Sequence, residues 1–191
     1  MDKQQYERAQ KVTFKSFETK SKLWREGQQR FIRSWLLPYK ESKILDCACG
    51  DGVGLNYFYE LGFRKVSGLE WEPEKAQMAR HCGFPVFEQD FHDEIPDNFD
   101  LIYSSHSLEH ALQPDVVLRN FRRHCKELIV VIPFPDPRDI TAHCAKQILG
   151  SDQNDEGVKV IAYIESFGFK LKRKQFDTFR EEEIWMHYEI G

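Results

Sequence analysis

Apolar and polar positions divide the chain into two parts near residue 40. Residues 1–21 are mostly polar, and apolar side chains then recur at helical spacing as far as Pro38: Leu23, Trp24, Phe31, Ile32, Trp35 and Leu36. This spacing predicts one or two amphipathic helices, which end at the proline. We expect residues 1–40 to form a helical cap packed on a main domain of residues 41–191. The pattern suits a structural cap and a lid over a ligand equally well.

From residue 43 onward, short apolar runs alternate with helical stretches. The apolar runs predict five strands, which span residues 43–47, 65–70, 84–88, 100–104 and 128–132. Pro73 and Pro114 each suit the first position of a helix. Three glycines suit the left-handed exit of a helix into the next strand, namely Gly62, Gly83 and Gly168. This alternation predicts an α/β fold with a doubly wound, mostly parallel sheet.

The C-terminal segment has a different pattern. Residues 170–180 and 184–190 are typical of two long strands, separated only by the acidic residues 181–183. So short a connection permits only antiparallel pairing, because parallel strands need a crossover of about a dozen residues. We therefore expect an antiparallel hairpin at one edge of the sheet.

Composition narrows the class of protein. The chain has 191 residues, 41% of them hydrophobic, and a formal net charge of −4, which suits one globular domain and argues against binding to duplex nucleic acid. No apolar run reaches the ~18 residues of a membrane span, and the polar start does not resemble a signal peptide. We expect a cytoplasmic protein with no membrane partner.

The five cysteines are irregularly spaced, so we expect no disulfide framework and interpret Cys47 and Cys49 as packing thiols.

A loop of small residues follows the first predicted strand. Residues 46–54 let backbone N–H groups approach a ligand at the start of the next helix. Glu70 ends the second strand, 20 residues after Gly50, where a carboxylate can accept both hydroxyls of a ribose. Leu55 replaces the third glycine of a dinucleotide fingerprint, and the Gly-Lys-Ser/Thr of a P-loop is absent. The remaining pattern suits an adenosine with a charged amino-acid tail.

Four segments, in order along the chain, resemble class I S-adenosylmethionine-dependent methyltransferases. Residues 43–52 are similar to the family's Leu-Asp-x-Gly-Cys-Gly-x-Gly motif, with Ala48 in place of a glycine; the other segments are residues 66–73, 89–91 and 99–110. The resemblance covers roughly residues 43–190. It implies a Rossmann-like methyltransferase fold with a seven-stranded sheet, S-adenosyl-L-methionine as cofactor and S-adenosyl-L-homocysteine as product.

The resemblance also implies which residues bind the cofactor. Glu70 would bind the ribose, Trp71 would flank the adenine, and Asp90 would accept a hydrogen bond from the adenine amino group. The full implied set is Asp46, Cys47, Ala48, Cys49, Gly50, Gly52, Glu70, Trp71, Asp90, Phe91, Ser104 and Ser105.

Two histidines follow the fourth predicted strand. His106 and His110 are candidate catalytic bases for a protonated acceptor, although His110 also suits a packing role. On a helix, His106, Glu109 and His110 would share one face, and together with His143 they could chelate a divalent metal. The spacing resembles the Glu-x-x-Glu-His cluster of metal-dependent small-RNA and ubiquinone-pathway O-methyltransferases, with His106 in place of the first Glu.

These features predict a methyltransferase that acts on a small-molecule acceptor, with oxygen as the favoured acceptor atom. Residues 104–107 lack the (Asp/Asn)-Pro-Pro-(Tyr/Phe) motif of amino-directed base methylases. Three alternatives stay open: an RNA or protein methyltransferase with the same donor, a nicotinamide-dependent oxidoreductase, and a non-catalytic cofactor-binding protein. The sequence leaves the identity of the acceptor and the oligomeric state open.

Overall fold

The computed structural model describes residues 22–136, 143–145, 148, 156–178 and 182–191. The first part of the predicted cap, residues 1–21, lies outside the described residues. The side chains of Leu23 and Trp24 also lie outside them.

A seven-stranded sheet forms the centre of the protein. Its strands are β1 (Ile44–Cys47), β2 (Val66–Glu70), β3 (Val86–Glu88), β4 (Phe99–Ser105), β5 (Cys125–Pro133), β6 (Phe169–Asp177) and β7 (Glu183–Ile190). Their order across the sheet is β3-β2-β1-β4-β5-β7-β6. The first five strands pair in parallel, and β7 is antiparallel to both β5 and β6. The predicted doubly wound sheet with its antiparallel edge hairpin is confirmed.

The strand boundaries differ from the prediction mainly at β5. This strand begins at Cys125, three residues before the predicted start at Leu128. Cys125 pairs with Phe99 and Glu127 pairs with Leu101, so the ladder extends beyond the aliphatic run. The predicted strand was too short because Lys126 is exposed and Glu127 is only half-buried, and such residues interrupt the apolar pattern.

Helices connect the strands in the described part of the chain. They are α1 (Lys22–Phe31), α2 (Val53–Glu60), α3 (Pro73–Arg80), α4 (Pro114–His124) and α5 (Val158–Glu165). The prolines that begin α3 and α4 confirm the predicted starts. Gly62, Gly83 and Gly168 have φ values of 82°, 84° and 86°, which confirms the left-handed exits. None of the helices in the described residues is both long and apolar enough to cross a lipid bilayer.

Two apolar clusters lie on opposite faces of the sheet. Alternate residues of β1 point to opposite faces, so Leu45 belongs to the cluster beneath α4 and α5 whereas Ile44 belongs to the cluster beneath α1, α2 and α3. The central residues of β5, 128–132, are all fully buried and divide between the two clusters in the same way. The parallel strands are therefore covered on both faces, as a doubly wound sheet requires.

The segment after α1 packs against the antiparallel edge of the sheet. It consists of a π-helical turn (Ile32–Leu36) and a 3-10 turn (Leu37–Tyr39). Trp35 lies edge-on to Trp185 of β7 with ring centroids 5.7 Å apart, and the Arg173 guanidinium of β6 lies 4.1 Å from the centre of the Trp35 ring. Such contacts bury an aromatic side chain and use its π face for a cation. The described N-terminal segment is thus part of the packed core.

Candidate active site

The carboxyl ends of β1, β2 and β4 meet at one edge of the sheet. Cys47 at the end of β1 pairs with Leu69 on one side and with Ser104 on the other. Ligands of doubly wound sheets bind outside this edge. The register therefore brings together three of the segments that were predicted to bind the cofactor.

The loop after β1 is built from left-handed backbone conformations. Ala48, Gly50 and Gly52 have φ values of 59°, 58° and 91°. Ala48 thus adopts the conformation of the glycine that it replaces, at a cost of ~1–2 kcal/mol for a residue with a side chain. At Gly52 a Cβ would lie 2.7 Å from the Cα of Ala79, whereas at Gly50 it would meet nothing within 4 Å. The loop is therefore closed on the side of α3 and leaves open space beside Gly50.

Glu70 ties this loop to the end of β2. Its Oε2 accepts the backbone N–H of Gly50 at 3.0 Å, and its Oε1 accepts the backbone N–H of Glu72 at 2.9 Å. Burial raises the pKa of Glu70, and the two N–H groups act in the opposite direction. Each carboxylate oxygen has two lone pairs, so both can still accept a ribose hydroxyl.

Asp46 is a buried acid whose environment suits a cationic ligand. Its side-chain atom Oδ2 has no hydrogen-bond partner among the described residues. Burial, and then the negative charge of Glu70, raise the pKa of Asp46 to about 8. A buried acceptor without a partner is costly, and a donor with a positive charge would both satisfy the atom and favour its ionised form. The ammonium group of S-adenosylmethionine fits this requirement.

Helix α1 reaches the same loop through Gln28. A Cβ placed on Gly54 would lie 2.7 Å from Asp46 Oδ2 and 2.8 Å from Gln28 Nε2. The amide of Gln28 and the carboxylate of Asp46 therefore approach Gly54 together, which is possible only because Gly54 lacks a side chain. Sequence reasoning missed Gln28, since a glutamine within an amphipathic helix gives no local signal.

The cysteine that ends β1 and the cysteine in the following loop both have buried side chains. Burial raises the pKa values of Cys47 and Cys49 well above that of an ordinary thiol. The Sγ of Cys49 packs against β2 so closely that a Cβ on Gly68 would lie 2.6 Å from it. The thiols therefore fill the core, and these residues can meet a cofactor only through their backbone.

The residues predicted to contact adenine follow β2 and β3, which are neighbours in the sheet. Glu70 pairs with Glu88, so Trp71 and Asp90 lie beyond the same edge. Asp90 Oδ1 accepts the backbone N–H of His92 at 2.9 Å and contacts His92 Nδ1 at 2.6 Å. Phe91 is buried in the apolar cluster beneath α4, whereas Trp71 is half-buried.

A second group of polar side chains lies beyond the ends of β4, β5 and β7. Ser104 and Ser105 still pair with β5, and the hydroxyl of Ser104 lies 2.7 Å from that of Ser107. His106 then adopts a left-handed conformation, with φ at 51°, and donates its backbone N–H to the carbonyl of Val131. The chain turns sharply here instead of entering a helix.

The predicted helical face shared by His106, Glu109 and His110 is therefore wrong. A single 3-10 turn (Leu108–His110) follows the strand, and His106 precedes it. The turn nevertheless brings the side chains close together, because His106 Nδ1 lies 3.6 Å from Glu109 Oε1 and His110 Nε2 lies 3.9 Å from the same oxygen. All three side chains are at most 5% exposed.

Two further carboxylates hold histidine rings in this group. Glu183, the first residue of β7, places Oε2 at 2.8 Å from His106 Nε2. Asp136, which follows β5, is hydrogen-bonded to His143 Nδ1. Sequence reasoning missed both acids, because Glu183 was assigned to the acidic link of the hairpin and Asp136 to the loop after β5.

Part of this group could hold a metal ion. Glu109, His110 and His143 offer ligand atoms that all lie within 4.8 Å of one another, and all three residues are buried. Carboxylate oxygen and imidazole nitrogen are suitable ligands for divalent ions such as Zn²⁺ and Mn²⁺. Asp136 binds one ring nitrogen of His143, and ligating histidines commonly have such a carboxylate partner. The donor set fits a divalent cation.

Comparison with known proteins identifies the family. A family model described as "Methyltransferase domain" matches residues 18–184, so the chain belongs to this family. The chain therefore carries a methyltransferase domain, and membership of this family implies S-adenosylmethionine as the methyl donor.

One curated relative matches part of the chain. Ribosomal RNA small subunit methyltransferase C from Hamiltonella defensa subsp. Acyrthosiphon pisum (strain 5AT) is 31% identical over 98 residues, which are 48% of this chain and 29% of that protein. The match therefore spans less than a third of the relative's length.

Solved structures share the fold. A TehB-like methyltransferase from Corynebacterium glutamicum superposes with a TM-score of 0.64 at 18% identity, over 98% of both chains. An S-adenosylmethionine-dependent methyltransferase from Mesorhizobium loti gives a TM-score of 0.61 at 15% identity, over 78% of this chain and 90% of the other. At these identities the likeness shows the class I methyltransferase fold.

Proposed function

We propose that this enzyme transfers the methyl group of S-adenosylmethionine to an oxygen atom of a small-molecule acceptor. The observation that carries the proposal is the group of buried histidines and carboxylates beside the cofactor edge of the sheet, which comprises His106, Glu109, His110, Asp136, His143 and Glu183. Methyl transfer from a sulfonium is an in-line displacement, so alignment of the two substrates can supply up to ~7–11 kcal/mol. The remaining task is to remove a proton from the acceptor.

The cofactor is held by the ends of the first three strands. Asp46 accepts from the ammonium group, Glu70 accepts from the ribose hydroxyls, and Trp71 and Asp90 contact the adenine. The open space at Gly50 gives the cofactor room to approach the loop backbone. Support for this assignment comes from the buried acceptor Asp46 Oδ2, which has no partner among the described residues and which the ammonium group would satisfy.

His106 is the base that we favour for an acceptor hydroxyl. Its Nε2 lies 2.8 Å from Glu183 Oε2 and its Nδ1 lies 3.6 Å from Glu109 Oε1, so two carboxylates would stabilise the imidazolium that forms when the ring takes a proton. A positioned base of this kind contributes about 10²–10⁴-fold to the rate. His110 is the second candidate, although its ring packs edge-on against His143 with centroids 4.9 Å apart.

The burial of these histidines supports a small acceptor. The side chains of His106 and His110 are both 5% exposed, which favours a small reacting group over a bulky one. Residues 104–107 also lack the motif that grips a planar amine in amino-directed base methylases, which favours oxygen over nitrogen.

A divalent cation held by Glu109, His110 and His143 would activate a hydroxyl by lowering its pKa. The test is cobalt titration, because four- and five-coordinate Co²⁺ has a visible absorption spectrum that reports nitrogen and oxygen ligands. We expect saturation at one ion per chain in the wild type and loss of the spectrum in Glu109→Gln. The same spectrum in the variant would contradict the ligand set.

An RNA acceptor is the second candidate function, and the relative named as a ribosomal RNA methyltransferase favours it. A screen with radiolabelled S-adenosylmethionine separates the two. The acceptors are phenols, catechols, aliphatic hydroxyls and carboxylic acids, with ribosomal RNA and total protein in parallel. We expect label in an O-methylated small molecule. Label in RNA alone would overturn the small-molecule proposal, and cofactor binding without any transfer would indicate a non-catalytic protein.

A further inference from the structure

We propose that Gln28 of α1 is a specificity-determining residue, which donates a hydrogen bond to the carboxylate of S-adenosylmethionine. Asp46 accepts from the ammonium group on the same carbon atom of the cofactor, so the two side chains together recognise an α-amino acid. The inference rests on the proposed place of the cofactor at Asp46. It makes the N-terminal segment a part of the cofactor site.

An amide nitrogen and a carboxylate oxygen face one small space beside Gly54. A Cβ built on Gly54 would lie 2.8 Å from Gln28 Nε2 and 2.7 Å from Asp46 Oδ2. The two atoms are therefore neighbours, yet Asp46 Oδ2 accepts no hydrogen bond from Gln28 or from any other described residue. Asp46 is only 3% exposed, and a buried acceptor without a partner is costly. The geometry therefore suits a ligand that brings a donor to Asp46.

The same space lies at the N-terminus of α2, which favours a negative group. Helix α2 begins at Val53, so Gly54 belongs to the first turn, whose N–H groups have no partners within the helix. The positive end of the helix dipole attracts anions. The amide nitrogen of Gln28 is likewise a donor. A carboxylate is thus favoured beside Gln28 and an ammonium group beside Asp46, and an α-amino acid carries both on one carbon atom.

Aromatic packing fixes the position of Gln28. Phe31, one turn further along the same face of α1, is fully buried and stacks on Tyr103 with ring centroids 5.4 Å apart. Tyr103 of β4 pairs with Asp46 of β1, so the stacked ring and the carboxylate belong to neighbouring strand positions. Phe31 also lies edge-on to Trp185 at 4.6 Å. The end of α1 is therefore anchored to the sheet beside Asp46, and α1 forms a fixed wall of the cofactor site.

Decarboxylated S-adenosylmethionine is the informative ligand, because it keeps the adenosine, the sulfonium and the ammonium group and lacks only the carboxylate. We expect the wild-type protein to bind S-adenosylmethionine at least ~10-fold more tightly than the decarboxylated compound, since hydrogen bonds to charged groups are strong. Gln28→Leu should remove most of this preference. Calorimetry should show a Kd for S-adenosylmethionine that rises ~10-fold, whereas the Kd for the decarboxylated compound stays within about twofold.

Three results would overturn the inference. They are a wild-type protein that binds the two compounds equally, a Gln28→Leu variant that keeps the wild-type preference, and a Gln28→Leu variant that loses affinity for both compounds alike. Gln29→Leu is the matched control, because Gln29 is also half-buried in α1 but lies on a different side of the helix. We expect this control to keep the wild-type preference. The wild-type comparison suffices should Gln28→Leu fail to fold.

Gly54→Ala tests the shared space without removing the amide. The new methyl group would lie 2.8 Å from Gln28 Nε2, so this flexible side chain must move away. We expect the preference for the carboxylate to fall at least ~5-fold, because the displaced amide loses its hydrogen bond. A Gly54→Ala variant with the full wild-type preference would contradict the proposed place of the carboxylate beside Gln28.

These binding measurements need no methyl acceptor, so failure to find a small-molecule acceptor would not be confused with failure of this inference. Asp46→Asn separates the two remaining cases. Unchanged affinity for S-adenosylmethionine in Asp46→Asn would refute the proposed place of the cofactor, and this inference with it. Weaker binding in Asp46→Asn, together with an unchanged preference in Gln28→Leu, would refute only the role of Gln28.

Discussion

The proposed cofactor side of the site, around Asp46 and Glu70, and the proposed acceptor side, around His106 and Glu109, are built in different ways. On the cofactor side, the loop after β1 and the end of β2 supply backbone groups and two acids from residues 46–72. On the acceptor side, polar side chains come from the ends of β4, β5 and β7 and from His143. The first arrangement is local in sequence, whereas the second exists only once β7 lies between β5 and β6.

The two sides also differ in how complete they are before a ligand binds. Asp46 Oδ2 has no partner among the described residues, whereas Glu183 and Asp136 already bind histidine rings. A bound cofactor would therefore satisfy a buried acceptor on the first side, whereas on the second side carboxylates already orient the rings of His106 and His143. Substitutions on the first should change affinity, and those on the second should change turnover.

The largest effect should follow from His106→Asn. We expect kcat to fall ~10²–10⁴-fold, because the favoured base is removed, while the Kd for S-adenosylmethionine changes less than twofold. Calorimetry and steady-state kinetics with the acceptor found by screening measure the two quantities. An equally large loss of affinity for S-adenosylmethionine in this variant would contradict the division between the two sides.

Glu70→Ala should weaken cofactor binding by ~100-fold or more. The ribose hydroxyls would lose a charged acceptor, and hydrogen bonds to charged groups contribute ~1.5–3 kcal/mol each. The melting temperature should also fall, because the N–H groups of Gly50 and Glu72 lose their partner. Asp97→Ala is the control, since its exposed contact with Lys43 lies away from the loop. Unchanged affinity in Glu70→Ala would refute the ribose assignment.

Asp46→Asn should flatten the pH dependence of stability. The pKa of Asp46 is raised from 3.8 to about 8, so between these values the folded state keeps a proton that the unfolded chain releases. Asp46 therefore lowers the free energy of unfolding as pH rises through that range, by up to ~1.4 kcal/mol per unit. Urea denaturation at pH 5, 6.5 and 8 measures the slope, which we expect to be smaller in the variant. Equal slopes would show that Asp46 is ionised in the folded protein.

Gly50→Ala should have the smallest effect, about fivefold on the Kd for S-adenosylmethionine. A Cβ there has open space in the free protein but would enter the space proposed for the cofactor. Gly83→Ala is a matched control, because Gly83 also has a positive φ and open space, at the exit from α3. Both variants should lose ~1–2 kcal/mol of stability, because a residue with a side chain is strained at a positive φ. Equal cofactor affinity in the two variants would mean that the space beside Gly50 is not used.

Sequence patterns predicted the fold well where the signal is local. Apolar runs located the parallel strands, and glycines and prolines located helix ends, because each reports the conformation of its own segment. The loop after β1 and Glu70 were proposed as binding residues for the same reason. Their positions relative to a strand end could be read directly from the chain.

The acceptor side could not be predicted in the same way. Glu183 has two acidic neighbours in sequence, and only the register of β7 with β5 distinguishes it. The helical face proposed for His106 was wrong because His106 adopts a left-handed backbone conformation, which interrupts the helical spacing. The sequence alone does not show this interruption. Gln28 and Asp136 likewise acquire their positions through tertiary packing.

The central place of β7 has a consequence for biosynthesis. This strand is translated after the other six, yet it lies between two of them. A growing polypeptide on the ribosome can form the β1–β2 nucleotide loop long before Glu183 emerges from the exit tunnel. We therefore expect a chain truncated before β7 to bind the methyl donor at most and to transfer no methyl group.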